Sequence, residues 1–206
     1  MVKKKKVEKK VGSKSDSSLR KGFSHSWQYL KQSRNFIYAI IILFFVFAII
    51  GFIFPAPDSV LQRILEIIKE VLEKTEGLSP GRLFVFIFVN NLEVSLIGLI
   101  AGILFGIFPL MTTIANGYLL GFVGKYSVSE DGILSLWKIL PHGIFELPAI
   151  FISLGLGLRL GMFFFNKKEK NLREDFLNSM KVFFLIVVPL LFVAAIIETS
   201  LIFLFG

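Results

Sequence analysis

The sequence contains no cysteine, so disulfide bonds, thiol catalysis and thiolate metal sites are excluded. Histidine is scarce: His25 lies in a basic N-terminal segment, and His142 is the only other one. A two-histidine site buried within one chain is therefore excluded. Charged residues make up 18% of the chain and hydrophobic residues 54%, with long uncharged runs, which is typical of a polytopic membrane protein.

Motifs of common hydrolytic mechanisms are also missing. The chain has no His-Glu-x-x-His, no Gly-x-Ser-x-Gly and no Glu-Glu-x-x-x-Arg pattern of the glutamate-type intramembrane proteases. We therefore expect a protein that is not an enzyme and that requires no cofactor.

The formal net charge of +8 is concentrated at the N-terminus. Lysine-rich and serine-rich residues 1–34 predict a basic, largely disordered cytoplasmic tail, followed by a transmembrane helical domain over residues 35–206. A basic segment beside a membrane span sets topology or contacts anionic lipid, so no nucleic-acid partner is expected.

Apolar runs of spanning length predict an all-α, polytopic transmembrane helical bundle. The five predicted spans are residues 36–54, 82–107, 110–124, 142–162 and 176–205. Phe108 and Pro109 mark the predicted turn between spans two and three. Basic flanks before span one and in loop 166–175 predict a multi-pass protein of the cell membrane, with a cytoplasmic N-terminus and an extracytoplasmic C-terminus.

An amphipathic helix is predicted between spans one and two. Ser59 and Gln62 fit a capping box at its start, and Gly77 fits its C-terminal end. Apolar residues recur at helical spacing between them, with charges on the other face. This extracytoplasmic helix rests on the bilayer, packs on the bundle or receives a partner; the sequence leaves the three options open.

The stretch from residue 132 to residue 148 combines two prolines with intramembrane polar groups. Pro141 and Pro148 lack the backbone N–H that a helix interior needs, so we expect a break near Pro141 and a kink near Pro148. Residues 132–140 then form a re-entrant or interfacial half-helix. His142 and Glu146, four residues apart, share one helix face and should face protein or water.

Glycines at four-residue intervals predict close contacts between helices. The predicted packing positions are Gly98, Gly102, Gly106, Gly117, Gly121, Gly157 and Gly161.

Intramembrane polar residues predict a cluster between spans two, four and five, because such groups are tolerated when they share partners or water. The predicted cluster contains Glu93, His142, Glu146, Glu198, Asn90, Asn91 and Asn116. It serves as structural glue, as a proton or transport site, or as a metal site held by His142, Glu146 and Glu198. We expect Arg159 to extend its side chain to the inner membrane interface.

The stretches 90–93, 98–106, 116–121, 141–149 and 157–161 carry a family resemblance. The run Pro141-His-Gly-Ile-Phe-Glu-Leu-Pro148 is the specific part, and residues 36–205 resemble the stage II sporulation protein M family. The resemblance implies a multispanning protein without established enzymatic activity. The sporulating bacterial member is implicated in engulfment, in a membrane complex with a cell-wall hydrolase and its partner, and relatives occur widely in prokaryotes that do not sporulate.

Three classes of function follow. A scaffold that assembles a membrane or cell-envelope complex is the first hypothesis, with the lipid bilayer and membrane or envelope proteins as partners and homo-oligomerisation left open. A small-solute or ion transporter or channel that uses the Glu/His cluster is the alternative. A metal-dependent intramembrane hydrolase is a distant third.

Overall fold

The computed structural model describes residues 22–54, 58–132, 136–165 and 171–205. Across these ranges every regular element is helical, and five stretches are long and apolar enough to cross a bilayer. They are Arg34–Ile53, Pro80–Ala101, Ile107–Ser129, Glu146–Phe165 and Leu172–Leu204. The predicted all-α bundle with five spans is confirmed.

The helices follow one another with short connections. They are α1 (residues 22–32), α2 (Arg34–Ile53), α3 (Asp58–Thr75), α4 (Pro80–Ala101), α5 (Ile107–Asp131), α6 (Leu136–Gly161), α7 (Leu172–Val182) and α8 (Val188–Phe205). A 3₁₀ turn, Met162–Phe165, follows α6, and a π-helical turn, Phe183–Val187, joins α7 to α8.

Helix α6 lies at the centre of the bundle. It packs against α2, α4, α5 and α8, while α2 and α5 form the most extensive helix pair. One apolar core joins α4, α6 and the π-helical turn through Leu99, Leu156 and Phe183, and Tyr29 of α1 packs into the same cluster. A second core, between α2 and α6, is centred on Ile40 and Leu154.

The expected break near Pro141 and the half-helix over residues 132–140 are corrected by the structure. Helix α6 runs without interruption from Leu136 to Gly161, so the backbone stays helical through Pro141 and Pro148. Prolines are tolerated inside membrane helices because neighbouring helices and small local adjustments satisfy the carbonyl groups that proline leaves without a donor. The rule that proline interrupts a helix comes mainly from soluble proteins, and it predicts a break in α6 that the structure does not have. Residues 133–135 lie outside the described ranges.

The turn between the second and third spans lies earlier than predicted. It occupies residues 102–106, where Phe105 and Gly106 have positive φ angles of 55° and 71°. Glycine adopts this left-handed conformation without steric cost, which makes Gly106 a natural end for the turn. Pro109 then falls in the first turn of α5, where a missing N–H costs little. The proline marks the start of a helix rather than the preceding turn.

Pro189 follows a local change of helix type in the last span. Proline cannot donate to the carbonyl four residues earlier, at Leu185. The helix adopts a π-turn over Phe183–Val187, and the N–H of Val188 bonds to the carbonyl oxygen of Phe183, five residues back. The extra residue in this turn shifts the helix face just before α8.

Two of the helices that the structure describes lie outside the spans. The predicted amphipathic helix is α3, whose charged face carries ion pairs such as Arg63–Glu66 at 3.0 Å, and which is followed by Gly77 in the left-handed conformation. Helix α1 packs on the bundle through the buried residues Ser26 and Tyr29, which belong to the segment predicted to be a tail. Residues 1–21 and 166–170, which hold most of the predicted basic tail and loop, lie outside the described ranges.

Candidate functional site

Glycines bring α4 and α6 into backbone contact. A Cβ atom at Gly102 would meet the backbone of Gly157, and one at Gly161 would meet the backbone of Gly106 and Gly102. Next to this crossing, the buried Ser153 hydroxyl donates to the carbonyl oxygen of Ser95 at 2.7 Å. Small residues and a hydroxyl bond at a shared crossing are typical of membrane helix pairs.

A second glycine crossing joins α2 and α5. Cβ atoms at Gly117 and Gly121 would meet the carbonyl oxygens of Phe44 and Ala48, and one at Gly51 would meet the carbonyl of Tyr118. The sequence reasoning missed Gly51, because α2 carries one glycine and no four-residue repeat. Gly98, the remaining ladder position, faces the side chain of Leu154 instead of a backbone.

The asparagines and glutamate of α4 divide between two faces. Asn91 is buried on the side that packs into the bundle, together with Ser95 and Leu99. Asn90 and Glu93 are exposed on the other side of the helix. Among the cluster residues of α4, only Asn91 therefore points into the protein.

A cavity of about 260 Å³ lies between α2, α4, α5 and α6. Its lining is mostly apolar, with Thr113, Asn116 and Glu146 as the polar members. The Thr113 hydroxyl donates to the carbonyl oxygen of Pro109 at 2.7 Å, and the Asn116 amide donates to that of Thr112 at 2.8 Å. The structure thus brings Asn116 and Glu146 of the predicted cluster to one cavity.

The remaining cluster members are only partly accounted for. Glu146 and Glu198 are half-buried, and each has an interaction partner. The side chain of His142 lies outside the described part of the structure. Convergence of these three residues, and the metal site that it would allow, stay predictions. Among the side chains that are described, no group of three or more histidines and carboxylates lies close enough to hold a metal ion.

A polar site that the sequence analysis did not predict lies where α1 and α7 meet the end of α6. We call it the Arg159 pocket, a cavity of about 350 Å³. It is lined by His25, Gln28, Tyr29, Gln32, Arg159, Asn171, Glu174, Asp175 and Asn178.

Arg159 holds three segments of the chain together at this pocket. Its Nη2 lies 3.1 Å from Asp175 Oδ1 of α7, and its Nη1 donates to Ser33 Oγ at 2.8 Å, at the junction of α1 and α2. The guanidinium carbon lies 3.9 Å from the centre of the Tyr29 ring. The Arg159 and Asp175 side chains are only 10% and 15% exposed, so this ion pair is largely shielded from solvent.

Tyr29 completes the network from α1. Its hydroxyl lies 2.9 Å from the carbonyl oxygen of Asp175 and 3.2 Å from both Asp175 Oδ1 and Ser179 Oγ. Burial raises the pKa of Tyr29 to about 12, so the phenol stays neutral at physiological pH and remains a hydrogen-bond donor. His25 Nε2 lies 3.2 Å from Asn178 Oδ1 and connects the far end of α1 to α7.

The expectation that Arg159 extends its side chain to the inner membrane interface stays a prediction, and these contacts add that its guanidinium group is paired. The arginine pairs with Asp175, which lies in the first turn of α7, the next long helix after α6 in the chain. Asp175 was hidden in the sequence by its basic neighbours, which read as a topology-determining loop. An ion pair between two helices produces no periodic signal in the sequence. Only the short separation along the chain between Arg159 and the acidic first turn of α7 could have indicated it.

Five apolar spans, of which α6 forms the central one, define an integral, multi-pass membrane protein. The sequence model of the family described as Stage II sporulation protein M matches residues 40–201, and the chain belongs to this family. The predicted family resemblance is thereby confirmed.

Two uncharacterized proteins of Methanocaldococcus jannaschii are similar to the chain. The first is 35% identical over 121 residues, which is 56% of this chain and 68% of the relative. The second is 29% identical over 175 residues, which is 82% of this chain and 78% of the relative. No solved structure matches the chain significantly.

Proposed function

We propose that the protein is a non-enzymatic scaffold that holds a protein of a membrane or cell-envelope complex at the Arg159 pocket. The proposal rests on the exposed polar side chains at the rim of the pocket. Gln28, Gln32 and Glu174 are exposed there, and within the described part of the chain their side chains make no hydrogen bond or ion pair. They are therefore available to a polar segment of a partner.

The internal pairing of Arg159 and Asp175 supports binding over catalysis. The two opposite charges neutralise each other, and Tyr29 is neutral, so the network stabilises the junction of three helices. The surface that remains is mainly uncharged and rich in hydrogen-bonding groups, which is typical of the polar rim of a protein interface.

The proposed scaffold has its N-terminus and the Arg159 pocket in the cytoplasm. Lys31, Arg34 and Arg173 lie at the end of the bundle that carries the pocket, and the lysine-rich N-terminal residues precede α1 in the sequence. Positively charged flanks favour the cytoplasmic side. The amphipathic helix α3 and the C-terminus then lie outside.

Cysteine labelling tests this orientation directly, because the chain has no native cysteine. Ser24 is exposed on α1, and Glu76 is exposed between α3 and α4. We expect a membrane-impermeant maleimide to label Glu76→Cys in intact cells and to label Ser24→Cys only after the membrane is opened. Labelling of Ser24→Cys in intact cells would contradict the proposed orientation.

The scaffold proposal predicts a partner that depends on the pocket. Gln28→Arg places a bulky cation on the rim, whereas Ser24→Arg places the same side chain on α1 outside the pocket lining. We expect wild type and Ser24→Arg to co-purify the same protein from native membranes in near-stoichiometric amount, and Gln28→Arg to retain about tenfold less, which corresponds to about 1.4 kcal/mol. Equal recovery with both variants would contradict a role of the pocket in binding.

A transporter is the second candidate, and the cavity that Asn116 and Glu146 line is the observation that favours it. Small-molecule sites are commonly cavities of this kind, with a mostly apolar lining and a small number of polar groups. Uptake of labelled solutes into proteoliposomes, abolished by Glu146→Gln in a folded protein, would favour transport. Pocket-dependent partner binding without such uptake would favour the scaffold.

A further inference from the structure

The outer face of α4 carries two polar side chains within a membrane span. Asn90 and Glu93 are three residues apart, so they share one helix face, and both are exposed. Their neighbours on this face are apolar: Ile97 and Ile100 are 48% and 43% exposed. In a bilayer, this whole surface would face lipid in a monomer.

The position of Glu93 along α4 makes such exposure costly. It lies roughly 12 Å from the end of the helix at Ala101 and roughly 20 Å from its start at Pro80, at a rise of about 1.5 Å per residue. A glutamate side chain is too short to reach either interface from this depth. Strongly polar side chains within spans are therefore expected to face protein or water rather than lipid.

Asn90 and Glu93 have few hydrogen-bonding partners within their own chain. Within the described part of the chain Glu93 makes no hydrogen bond or ion pair, and the amide of Asn90 reaches only its neighbour Asn91, at 3.5 Å. Asn91 points into the bundle, so α4 cannot turn Glu93 inward without exposing the residues that pack there.

The exposed face also has the spacing of a helix-pairing surface. The partly buried Phe86 and the exposed Asn90, Glu93, Ile97 and Ile100 follow each other at intervals of four, three, four and three residues. This is the a/d spacing of a left-handed helix pair, in which a single asparagine at an a position fixes the register. We call these five residues the α4 seam.

We propose that the α4 seam is the interface of a symmetric homodimer within the membrane. Two copies inserted in the same direction are related by a two-fold axis along the membrane normal, so equivalent residues meet at equal depth. The amide of Asn90 in each copy can then donate to the Glu93 carboxyl group of the other. Each chain supplies both a donor and an acceptor, and this self-complementarity favours a second copy over an unrelated helix.

Disulfide cross-linking in liposomes tests the proposal with purified protein. Ile97→Cys places a thiol on the seam, and Val193→Cys places one at an exposed, mid-span position of α8, where Val193 is 51% exposed. We expect mild oxidation to convert Ile97→Cys to a covalent dimer at least about tenfold more efficiently than Val193→Cys at equal protein-to-lipid ratio. Similar yields for the two would reflect random collision and would overturn the proposal.

The role of the polar pair is tested in the same assay. Adding Asn90→Leu and Glu93→Leu to Ile97→Cys removes the donor and the acceptor and makes the helix more apolar, so insertion is not impaired. We expect most of the dimer yield to be lost while thermal unfolding of the monomer is retained. Undiminished cross-linking would overturn the pairing of Asn90 with Glu93. Since this assay contains no other protein, its result is independent of partner binding at the Arg159 pocket.

Discussion

Replacing Arg159 by leucine is expected to lower the free energy of unfolding by about 3–5 kcal/mol, because the loss of one member of a buried ion pair leaves the other charge uncompensated. Asp175 would lose the guanidinium 3.1 Å away, and Ser33 would lose a donor at 2.8 Å. The change would also remove the cation from the face of the Tyr29 ring. Thermal unfolding of the detergent-solubilised protein measures the effect.

Matched variants separate the ion pair from a general loss of charge. Arg173→Leu removes an exposed arginine from α7 and should change stability by less than about 0.5 kcal/mol. Arg159→Lys should recover only part of the loss, because a lysine cannot bridge two acceptors in the fixed geometry of a guanidinium group. Removing both charges, in Arg159→Leu with Asp175→Leu, should cost less than the sum of the single changes. Equal unfolding temperatures for Arg159→Leu and Arg173→Leu would contradict a stabilising role of the pair.

The transmembrane architecture could be predicted from sequence because its signal is long and local. A span needs about 20 apolar residues, and the five runs satisfy this requirement whatever they pack against. The amphipathic pattern of α3 is similarly local. The effects of the prolines were less predictable. Pro109 lies in the first turn of a helix, Pro189 follows a π-helical turn, and the helix continues unchanged through Pro148. The surrounding helices decide among these outcomes.

The polar sites were harder to predict because they depend on which elements meet in space. The sequence analysis assigned Asn116 and Glu146 to one polar cluster, and the structure places both at one cavity. Helix rotation, which depth does not determine, turns Asn91 inward and leaves Glu93 exposed. The Arg159 pocket could not be predicted without knowing where α1 packs. The composition of that segment had indicated a tail rather than a packed helix.

The last prediction concerns the contact between α4 and α6. Gly102→Leu is expected to destabilise the protein by about 1–3 kcal/mol, the usual effect of adding side-chain atoms to a close-packed site. A Cβ atom at residue 102 would overlap backbone atoms of Gly157, which cannot rotate away. The φ angle of Gly102 is −57°, so a side chain there causes no backbone strain, and any loss of stability reports on packing.

Two glycines of α4 provide controls for this measurement. Gly81 has nothing within 4 Å of an added Cβ, so Gly81→Leu should unfold like wild type. Gly98 faces only the tip of the Leu154 side chain, which can move, so Gly98→Ala should cost less than Gly102→Ala. Thermal unfolding in detergent gives the order of the variants. If Gly102→Leu unfolds at the same temperature as Gly81→Leu, then α4 and α6 are further apart than the glycine contacts require. That result would contradict the close packing of the two helices at this crossing.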